Sequence, residues 1–347
     1  MHDIVSRLAG VLTSHGVKKG DRVIIYMPMI AEAIFAMLAC ARIAAIHSVV
    51  FGGFAAAELA SRIRDCDPKI LITASCGIEP HKKINYKTIV DEAIKISGAD
   101  KMQVLLKQRP ELICSMVEGR DFDYEEELKK GQHTDCTFVN GDHPLYILYT
   151  SGTTGMPKGI VRDHGGTAVA LAWTMKYIMG INPGDMYFAG SDIGWVVGHS
   201  FIVYGPLVAG SGTVVFEGKP ITCPDAGAYW RLVEEHKING VYSSPTGLRC
   251  IRRDDPEGEF VKKYDISSLQ NISMAGERFD IHTFKWLQEM VPESVLINDN
   301  YWQTESGWPI SCNYKDLYQF PVKAGSCTMP APGYDVYVLD KDNKPLP

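Results

Sequence analysis

The segment Leu145-Tyr-Ile-Leu-Tyr-Thr-Ser-Gly-Thr-Thr-Gly-Met-Pro-Lys-Gly-Ile-Val161 decides how the rest of the chain is interpreted. Its apolar start, Leu145 to Tyr149, is typical of a buried strand. Glycines, hydroxyl side chains and a lysine follow: Thr150, Ser151, Gly152, Thr153, Thr154, Gly155 and Lys158. Glycines let backbone amides approach an anion, hydroxyls add hydrogen-bond donors, and lysine adds a positive charge. This loop is therefore predicted to bind a polyphosphate.

The spacing of this loop differs from that of the P-loop NTPases. Their signature is G-x-x-x-x-G-K-[ST], whereas here Gly152 and Lys158 are six residues apart and Gly159 follows the lysine. A kinase or ATPase of that class is therefore disfavoured. For a generic loop rich in glycine, serine and threonine, an ordinary flexible turn is the competing interpretation.

Strand-like and helix-like segments alternate on both sides of the loop. Predicted strands cover residues 21–27, 45–50, 69–73, 103–107, 186–189, 212–217, 240–243, 271–275 and 295–298. Helical periodicity in the intervening segments predicts an α/β fold built of βαβ units on largely parallel sheets. We expect a first α/β subdomain over residues 1–144 and a second over 145–320. Residues 321–347 begin a β-rich subdomain, with a β pattern at 334–339 and a hairpin-like turn at 340–343.

Composition excludes several classes of protein. The chain has 347 residues, 46% hydrophobic and 22% charged, as in globular proteins, and its net charge of -6 gives no electrostatic case for nucleic acid. The most apolar stretch, residues 30–60, is interrupted by charged side chains, so no membrane span is predicted. The nine cysteines lack C-x-x-C spacing, which indicates reduced thiols in an intracellular compartment and disfavours a zinc site.

Three further motifs follow predicted strands, where ligands bind in α/β sheets. Residues 274–278 (MAGER) contain a glycine that would let a flat base approach the backbone, although a plain strand-to-helix turn has the same pattern. Residues 299–307 (DNYWQTESG) combine polar groups, two aromatics and a carboxylate suited to a hard cation. Residues 191–201 (SDIGWVVGHSF) supply an apolar wall, or else the start of a buried helix.

Together with these motifs, S-G-T-T-G-M-P-K-G resembles the phosphate signature of the ANL adenylate-forming enzymes. The chain is most similar to their short-chain acyl-CoA synthetases, and within these to the propionate-CoA ligase branch, over essentially all 347 residues. The resemblance implies the two α/β subdomains of the ANL N-terminal domain and the start of its small β subdomain. The C-terminal lid domain and a segment before Met1 would be missing, so the chain alone is expected to be impaired.

The resemblance implies a two-step reaction with ATP and CoA as cosubstrates and Mg²⁺ as cofactor. A short-chain carboxylate would react with ATP to give acyl-AMP and pyrophosphate, and CoA would then displace AMP. Lys158, Thr304 and Glu305 would be catalytic, and Glu305 would bind Mg²⁺. The nucleotide would contact Gly276, Glu277, Arg278, Asp299, Asn300, Tyr301, Trp302, Gln303 and Thr304. His199 would shape the pocket rather than transfer protons.

The remaining roles concern the acid and CoA. The acyl pocket would consist of Trp195, Val196, Val197, Ala275 and Trp302. The Trp302 indole would leave room only for a short acid, and Ala275, where acetate-specific relatives tend to have valine, favours propionate over acetate. The resemblance assigns CoA binding to Glu79, Pro80, His81 and Lys82, although a solvated charged loop would look the same. Lys82 replaces the family's usual arginine, and Asn300 and Tyr301 also depart from it.

Two alternatives stay open at this stage. The chain could be a non-catalytic nucleotide-binding fragment, or an adenylate-forming enzyme with an acceptor other than CoA. The resembled branch implies the mitochondrial matrix, with the cytosol as the other compartment. The sequence does not determine an oligomeric state.

Overall fold

The computed structural model of the chain describes residues 1–80, 82–150, 157–221 and 223–346. Within these residues the first half of the chain alternates strands and helices. The strands are β1 (Arg22–Tyr26), β2 (Ile46–Val49), β3 (Ile70–Ala74), β4 (Cys76–Glu79), β5 (Lys82–Asn85), β6 (Gln103–Lys107), β7 (Asp121–Asp123), β8 (Pro144–Thr150) and β9 (Lys158–Asp163). The helices are α1 (His2–Ser14), α2 (Ala31–Arg42), α3 (Ala56–Cys66), α4 (Tyr86–Ser97) and α5 (Tyr124–Lys130).

The first sheet has the order β7-β6-β3-β1-β2-β8-β9 in the described part of the chain, and β4 and β5 form a separate hairpin. All pairings in the sheet are parallel except that of β8 with β9. The prediction of largely parallel βαβ units is confirmed here. β8 and β9 belong to this sheet although they follow the predicted subdomain boundary at residue 145, and the division into subdomains stays a prediction.

The second half repeats this architecture. Its described strands are β10 (Met186–Ala189), β11 (Gly212–Val214), β12 (Gly240–Ser243), β13 (Asn271–Met274), β14 (Leu296–Asp299), β15 (Ser311–Cys312) and β16 (Met329–Pro330). Its helices are α6 (His164–Trp173), α7 (Val196–Gly198), α8 (Gly205–Val208), α9 (Ala228–His236), α10 (Pro245–Asp254) and α11 (Ile281–Met290), with π-helical turns at Thr174–Ile178 and His199–Tyr204 and a 3₁₀ turn at Val261–Lys263. A parallel sheet forms in the order β11-β10-β12-β13-β14.

Polar side chains fix where several helices begin. Asn85 accepts the backbone N–H of Thr88 at the start of α4, and Asp163 does the same for Gly166 at the start of α6. Ser244 and Asp280 cap α10 and α11 in the same way. Such caps satisfy backbone donors that have no partner within the helix. They therefore fix the residues at which these four helices begin.

The β pattern predicted for residues 334–339 does not form a strand. Apart from an isolated bridge between Leu339 and Pro345, this segment pairs with no other described strand, and Tyr337 and Val338 are exposed. A strand needs a neighbour to satisfy its N–H and C=O groups. The predicted turn is confirmed, since the backbone N–H of Asp340 donates to Lys344.

The helices of the described chain are too short or too polar to cross a lipid bilayer. Apolar residues of both sheets pack into one continuous core, which includes Val23 and Ile25 of β1 as well as Tyr187 and Tyr242 of β10 and β12. The two sheets are therefore held together by buried side chains, and the ends of their strands face a shared space.

Candidate functional site

The carboxyl ends of both sheets border a cavity of about 920 Å³. Loops after β1 and β2 form one wall together with the β4–β5 hairpin, and the loops after β10, β12 and β13 form the other. Parallel strands place the residues that follow them at one edge of a sheet, and this edge is where α/β proteins bind ligands. The cavity is therefore the best candidate for the functional site.

Three residues of the predicted acyl pocket line this cavity. They are Trp195, Val197 and Ala275. The Trp195 ring is half exposed and packs against Phe51, with ring centroids 5.2 Å apart. An exposed indole braced by a second aromatic ring gives the cavity a rigid apolar face.

The other two residues of the predicted acyl pocket are buried behind its wall. Val196 and Trp302 are each less than a tenth exposed and are not among the residues that line the cavity. The Trp302 indole N–H donates to the hydroxyl of Tyr242 at 2.7 Å, and Tyr242 itself lines the cavity. Trp302 therefore supports the wall through Tyr242, a residue that the motif search did not single out.

Part of the predicted CoA segment lies on the opposite wall. Glu79 and Lys82, in β4 and β5, line the cavity, and their side chains approach each other to 3.5 Å. Pro80 is exposed at the tip of this hairpin, and His81 lies outside the described residues. The cavity thus brings the predicted CoA and acyl segments together, although more than 100 residues separate them in sequence.

An ion pair that sequence reasoning missed fixes the position of the hairpin. Arg109 donates to both oxygens of Glu217, including a bond of 2.9 Å from Nη2 to Oε2. Glu217 also accepts the backbone N–H of Ile78 in β4 at 3.1 Å. Bidentate arginine–carboxylate contacts are among the more directional ones in proteins. Arg109 and Glu217 therefore tie the first sheet, the hairpin and the segment after β11 together.

Replacing Glu217 with glutamine is expected to lower the free energy of unfolding by about 1.5–3 kcal/mol, because Arg109 would lose a charged acceptor in a site where its side chain is only 12% exposed. Denaturant titration of the single variants and of the double variant with Arg109→Gln would measure the coupling. Asp265→Asn, which disrupts the solvated pair with Lys237, is the matched control and should leave the midpoint nearly unchanged. If the losses in free energy of unfolding caused by the Glu217 and Arg109 substitutions simply add in the double variant, the expectation is contradicted.

The residues predicted to bind the nucleotide follow β13 and β14, next to each other in the sheet. Gly276 has a φ of +104° with open space around the position of a Cβ, so the backbone there is strained for other residues and accessible to a ligand. Glu277 accepts the Thr246 N–H at 2.8 Å and pairs with Arg249. Although partial burial raises its pKa, these hydrogen bonds hold the pKa of Glu277 below its usual value. Arg278 is exposed beside them.

The segment after β14 is a turn with mixed burial. Burial raises the pKa of Asp299, while backbone N–H groups of Phe279 and Asn300 oppose this. The Asn300 side chain is buried and donates to the carbonyl of Asn298, which leaves its oxygen without a described partner. Tyr301, Gln303 and Glu305 are exposed and Thr304 is half-buried. The turn therefore presents several of its polar groups to solvent.

Arg162 holds this turn against the strand that follows the predicted phosphate loop. From β9 it donates to the backbone carbonyls of Thr304, at 2.9 Å, and Glu305. Its guanidinium also lies 5.1 Å from the centre of the Trp308 ring. Gly307 has a φ of +83°, and a Cβ there would lie 3.1 Å from the guanidinium, so a residue with a side chain would be strained at this position. Arg162 thus places Thr304 and Glu305 relative to Lys158, which is four residues earlier in the same strand.

Much of the predicted phosphate loop falls outside the described residues. Ser151, Gly152, Thr153, Thr154 and Gly155 belong to that part, whereas Thr150 ends β8 and Lys158 begins β9. Thr150 and Lys158 are paired across the antiparallel strands β8 and β9.

His199 lies in a buried aromatic cluster. Its Nδ1 lies 3.2 Å from the carbonyl of Trp195, which can only accept, so Nδ1 carries the proton. Its ring stacks on His47 with centroids 5.5 Å apart, and Tyr146 is closer still. Burial lowers the pKa of His199 to about 4, so the imidazole is neutral at pH 7. These contacts suit the predicted shaping role, which stays a prediction.

Comparison with known proteins gives consistent results. The AMP-binding enzyme family matches residues 1–347. Acyl-CoA synthetase short-chain family member 3, mitochondrial, of Rattus norvegicus is 49% identical over 347 residues, which cover 99% of this chain and 50% of that protein. Propionate--CoA ligase of Escherichia coli strain K12 is 45% identical, covering 98% and 54%. The solved structure of acetoacetyl-CoA synthetase from Streptomyces lividans superposes with a TM-score of 0.88 at 26% identity, covering 99% of this chain and 52% of that one.

The chain spans about half the length of the curated relatives it matches. The predicted α/β fold, with the architecture of the N-terminal domain of adenylate-forming enzymes, is confirmed. The individual roles assigned to residues of the site stay predictions.

Proposed function

The chain belongs to the AMP-binding enzyme family, and from that premise we propose that it is the adenylating core of a short-chain acyl-CoA synthetase. Its substrate is propionate, with acetate and butyrate as poorer acids. The carboxylate attacks the α-phosphorus of ATP, giving acyl-AMP and pyrophosphate, and the CoA thiol then displaces AMP. Neither step needs a nucleophile from the protein, so binding, orientation and charge stabilisation account for catalysis.

One observation carries this proposal. A single cavity of about 920 Å³ is lined both by the apolar residues Trp195, Val197 and Ala275 and by the hairpin residues Glu79 and Lys82. An acid bound at the apolar face and a thiol entering past the hairpin would meet within this space. Relatives named as short-chain acyl-CoA synthetases and a propionate-CoA ligase support the same choice of substrates.

Glu305 is suited to the proposed role of a Mg²⁺ ligand. Its carboxylate is exposed and makes no ion pair with any described residue, while Arg162 holds its backbone carbonyl. Mg²⁺ is usually bound through one or two carboxylates together with substrate phosphates and water. When bound, Mg²⁺ would neutralise phosphate charge. Thr304 and Lys158 would contact the phosphates from the turn and from β9.

The experiment is ATP–pyrophosphate exchange, measured with the chain and with the full natural polypeptide that contains it. Exchange that depends on propionate supports the proposal. ATP binding without exchange by either form would instead identify a non-catalytic nucleotide-binding protein. Propionate-dependent exchange without thioester formation by the full polypeptide would point to an acceptor other than CoA.

Ala275→Val is expected to shift the acid preference from propionate toward acetate by at least about tenfold, since two added methyl groups would occupy space at the apolar end of the cavity. The measurement is kcat/KM for acetate, propionate and butyrate with the full polypeptide. Ala168→Val, at an exposed position of α6, is the matched control and should leave the three ratios unchanged. A wild-type protein that prefers acetate would refute the pocket argument.

We also propose a mitochondrial location, because the named eukaryotic relatives carry that description. The bacterial propionate-CoA ligase shows that related proteins exist without mitochondria, so the cytosol is the competing compartment. Fractionation of cells that express the full polypeptide, with marker proteins for both compartments, distinguishes them.

A further inference from the structure

A carboxyl group without an assigned role lies in the wall of the cavity. Asp192 follows β10 and lines the cavity together with Gly190 and Ser191. It precedes Trp195, at the acyl face, by three residues. Neither the motifs nor the proposed roles in adenylation make use of this side chain.

Only one oxygen of this carboxyl group accepts a hydrogen bond from a described residue. Asp192 Oδ1 accepts the backbone N–H of Gly194 at 2.6 Å and so shapes the turn before Trp195. No described residue forms an ion pair with Asp192 or donates a hydrogen bond to Oδ2. Because Asp192 lines the cavity, Oδ2 is the oxygen left for a molecule that enters it.

Burial changes the acidity of this carboxyl group. Burial raises the pKa of Asp192 to about 6, and the hydrogen bond from Gly194 opposes the shift. The other titratable groups that line the cavity are Tyr86 of α4, Glu79 and Lys82 of the hairpin, Glu217 and Lys219 after β11, and Tyr242 of β12. A carboxylate with such a pKa is largely ionised at pH 7 yet is a stronger base than an ordinary aspartate.

The position of Asp192 relates it to the second step of the proposed reaction. The hairpin residues Glu79 and Lys82 line one side of the cavity, and Val197 and Ala275 line the other. A thiol delivered past the hairpin to an acyl group at the apolar face would enter the cavity whose wall contains Asp192. Free thiols ionise near pH 8.5, so at pH 7 most of the CoA thiol must lose a proton during attack.

We propose that Asp192 accepts the proton of the CoA thiol in the thioester-forming step, an inference that rests on the proposed function. The S–H proton moves to Oδ2 while sulfur bonds to the acyl carbonyl carbon. The bond between that carbon and the phosphate oxygen breaks, and AMP leaves with the electron pair. Asp192 then releases the proton to solvent. No oxidant, reductant or further reactant is needed.

The test uses Asp192→Asn in the full natural polypeptide, because asparagine keeps an acceptor for the Gly194 N–H but is no base. Synthetic propionyl-AMP is mixed with CoA, and the thioester formed in a single turnover is measured. We expect the rate at pH 7 to fall by about 10²-fold or more. In the wild type the rate should rise through about pH 6 and then level off. In the variant it should keep rising toward pH 8.5 with the thiolate concentration.

Asp225→Asn is the matched control, since Asp225 Oδ1 accepts the N–H of Gly227 at 2.8 Å in the same type of turn but does not line the cavity. It should leave the rate and its pH dependence unchanged.

ATP–pyrophosphate exchange with propionate separates the two proposals. Absence of exchange in the wild type refutes the proposed function. The role of Asp192 is refuted if Asp192→Asn retains exchange and also forms the thioester at the wild-type rate with the wild-type pH profile. It is also refuted if the variant loses exchange but forms the thioester normally.

Discussion

Replacing Arg162 with alanine is expected to lower the rate of propionate-dependent ATP–pyrophosphate exchange by about 10²-fold. The guanidinium donates to the carbonyls of Thr304 and Glu305, and no other described side chain donates to either carbonyl. Without it, the turn that carries the proposed phosphate and Mg²⁺ contacts loses its connection to β9. A displacement of about 1 Å in a reacting group is enough to cost a factor of this size.

Two further variants make this prediction specific. Arg162→Lys should recover only part of the activity, because an ammonium group lacks the planar guanidinium that lies over Trp308 while its Nη2 donates to both carbonyls. Arg253→Ala removes an exposed arginine that pairs with Asp254 at the surface, and it should leave the exchange rate unchanged. Melting curves of all variants would identify any loss of folded protein. Exchange by folded Arg162→Ala within twofold of the wild type would show that the turn holds its position without this residue.

Trp302→Ala is expected to lower the free energy of unfolding by about 3–5 kcal/mol and to admit longer acids. The indole packs edge-on against Phe201 and Tyr242, with centroid distances of 5.5 and 6.2 Å, and hydrogen-bonds the Tyr242 hydroxyl. Its removal leaves a void directly behind the cavity wall. Tyr242 can then move back, so kcat/KM should fall for propionate and rise for pentanoate and hexanoate.

Trp286, which packs in a separate apolar cluster with Phe279, Phe284 and Leu287, serves as a matched tryptophan that separates stability from specificity. Trp286 is as buried as Trp302 and also donates its indole N–H, to the carbonyl of Pro256 at 3.0 Å. Trp286→Ala should therefore be destabilised to a similar extent without any change in the order of preferred acids. Denaturant titrations and kcat/KM for acids of two to six carbons measure both effects. If the two variants lose stability equally and keep the same acid preference, Trp302 does not border the acyl end.

The strand and helix pattern could be predicted from the sequence because burial imposes it locally. A continuous apolar run such as Leu145–Tyr149 is typical of a strand covered on both faces, and β8 is indeed a strand. β9 was not predicted, because Lys158, Arg162 and Asp163 give it the composition of a surface segment. The β4–β5 hairpin was missed for a similar reason, since three of the four residues of β5 are exposed.

The contacts between side chains of distant segments could not be predicted from the sequence. Arg162 and the Thr304 carbonyl are 142 residues apart, and Arg109 and Glu217 are 108 apart. Their contacts depend on the order of strands in each sheet and on how the two sheets pack, neither of which is encoded in a local hydrophobic period. Asp192 belongs to the quoted motif at residues 191–201 but was given no role there, and only the structure shows that it lines the same cavity as the hairpin and the apolar wall.

The sequence by itself thus determined the α/β alternation, the family and the loops that carry polar groups at strand ends, because these depend on residue types in short stretches. Only the tertiary structure decided which of those loops share a cavity, that Trp302 contacts the cavity wall through Tyr242, and which arginines contact the turns. The physical reason is that a side chain's partners are set by the packing of whole sheets, whereas its secondary structure is set largely by its neighbours in the chain.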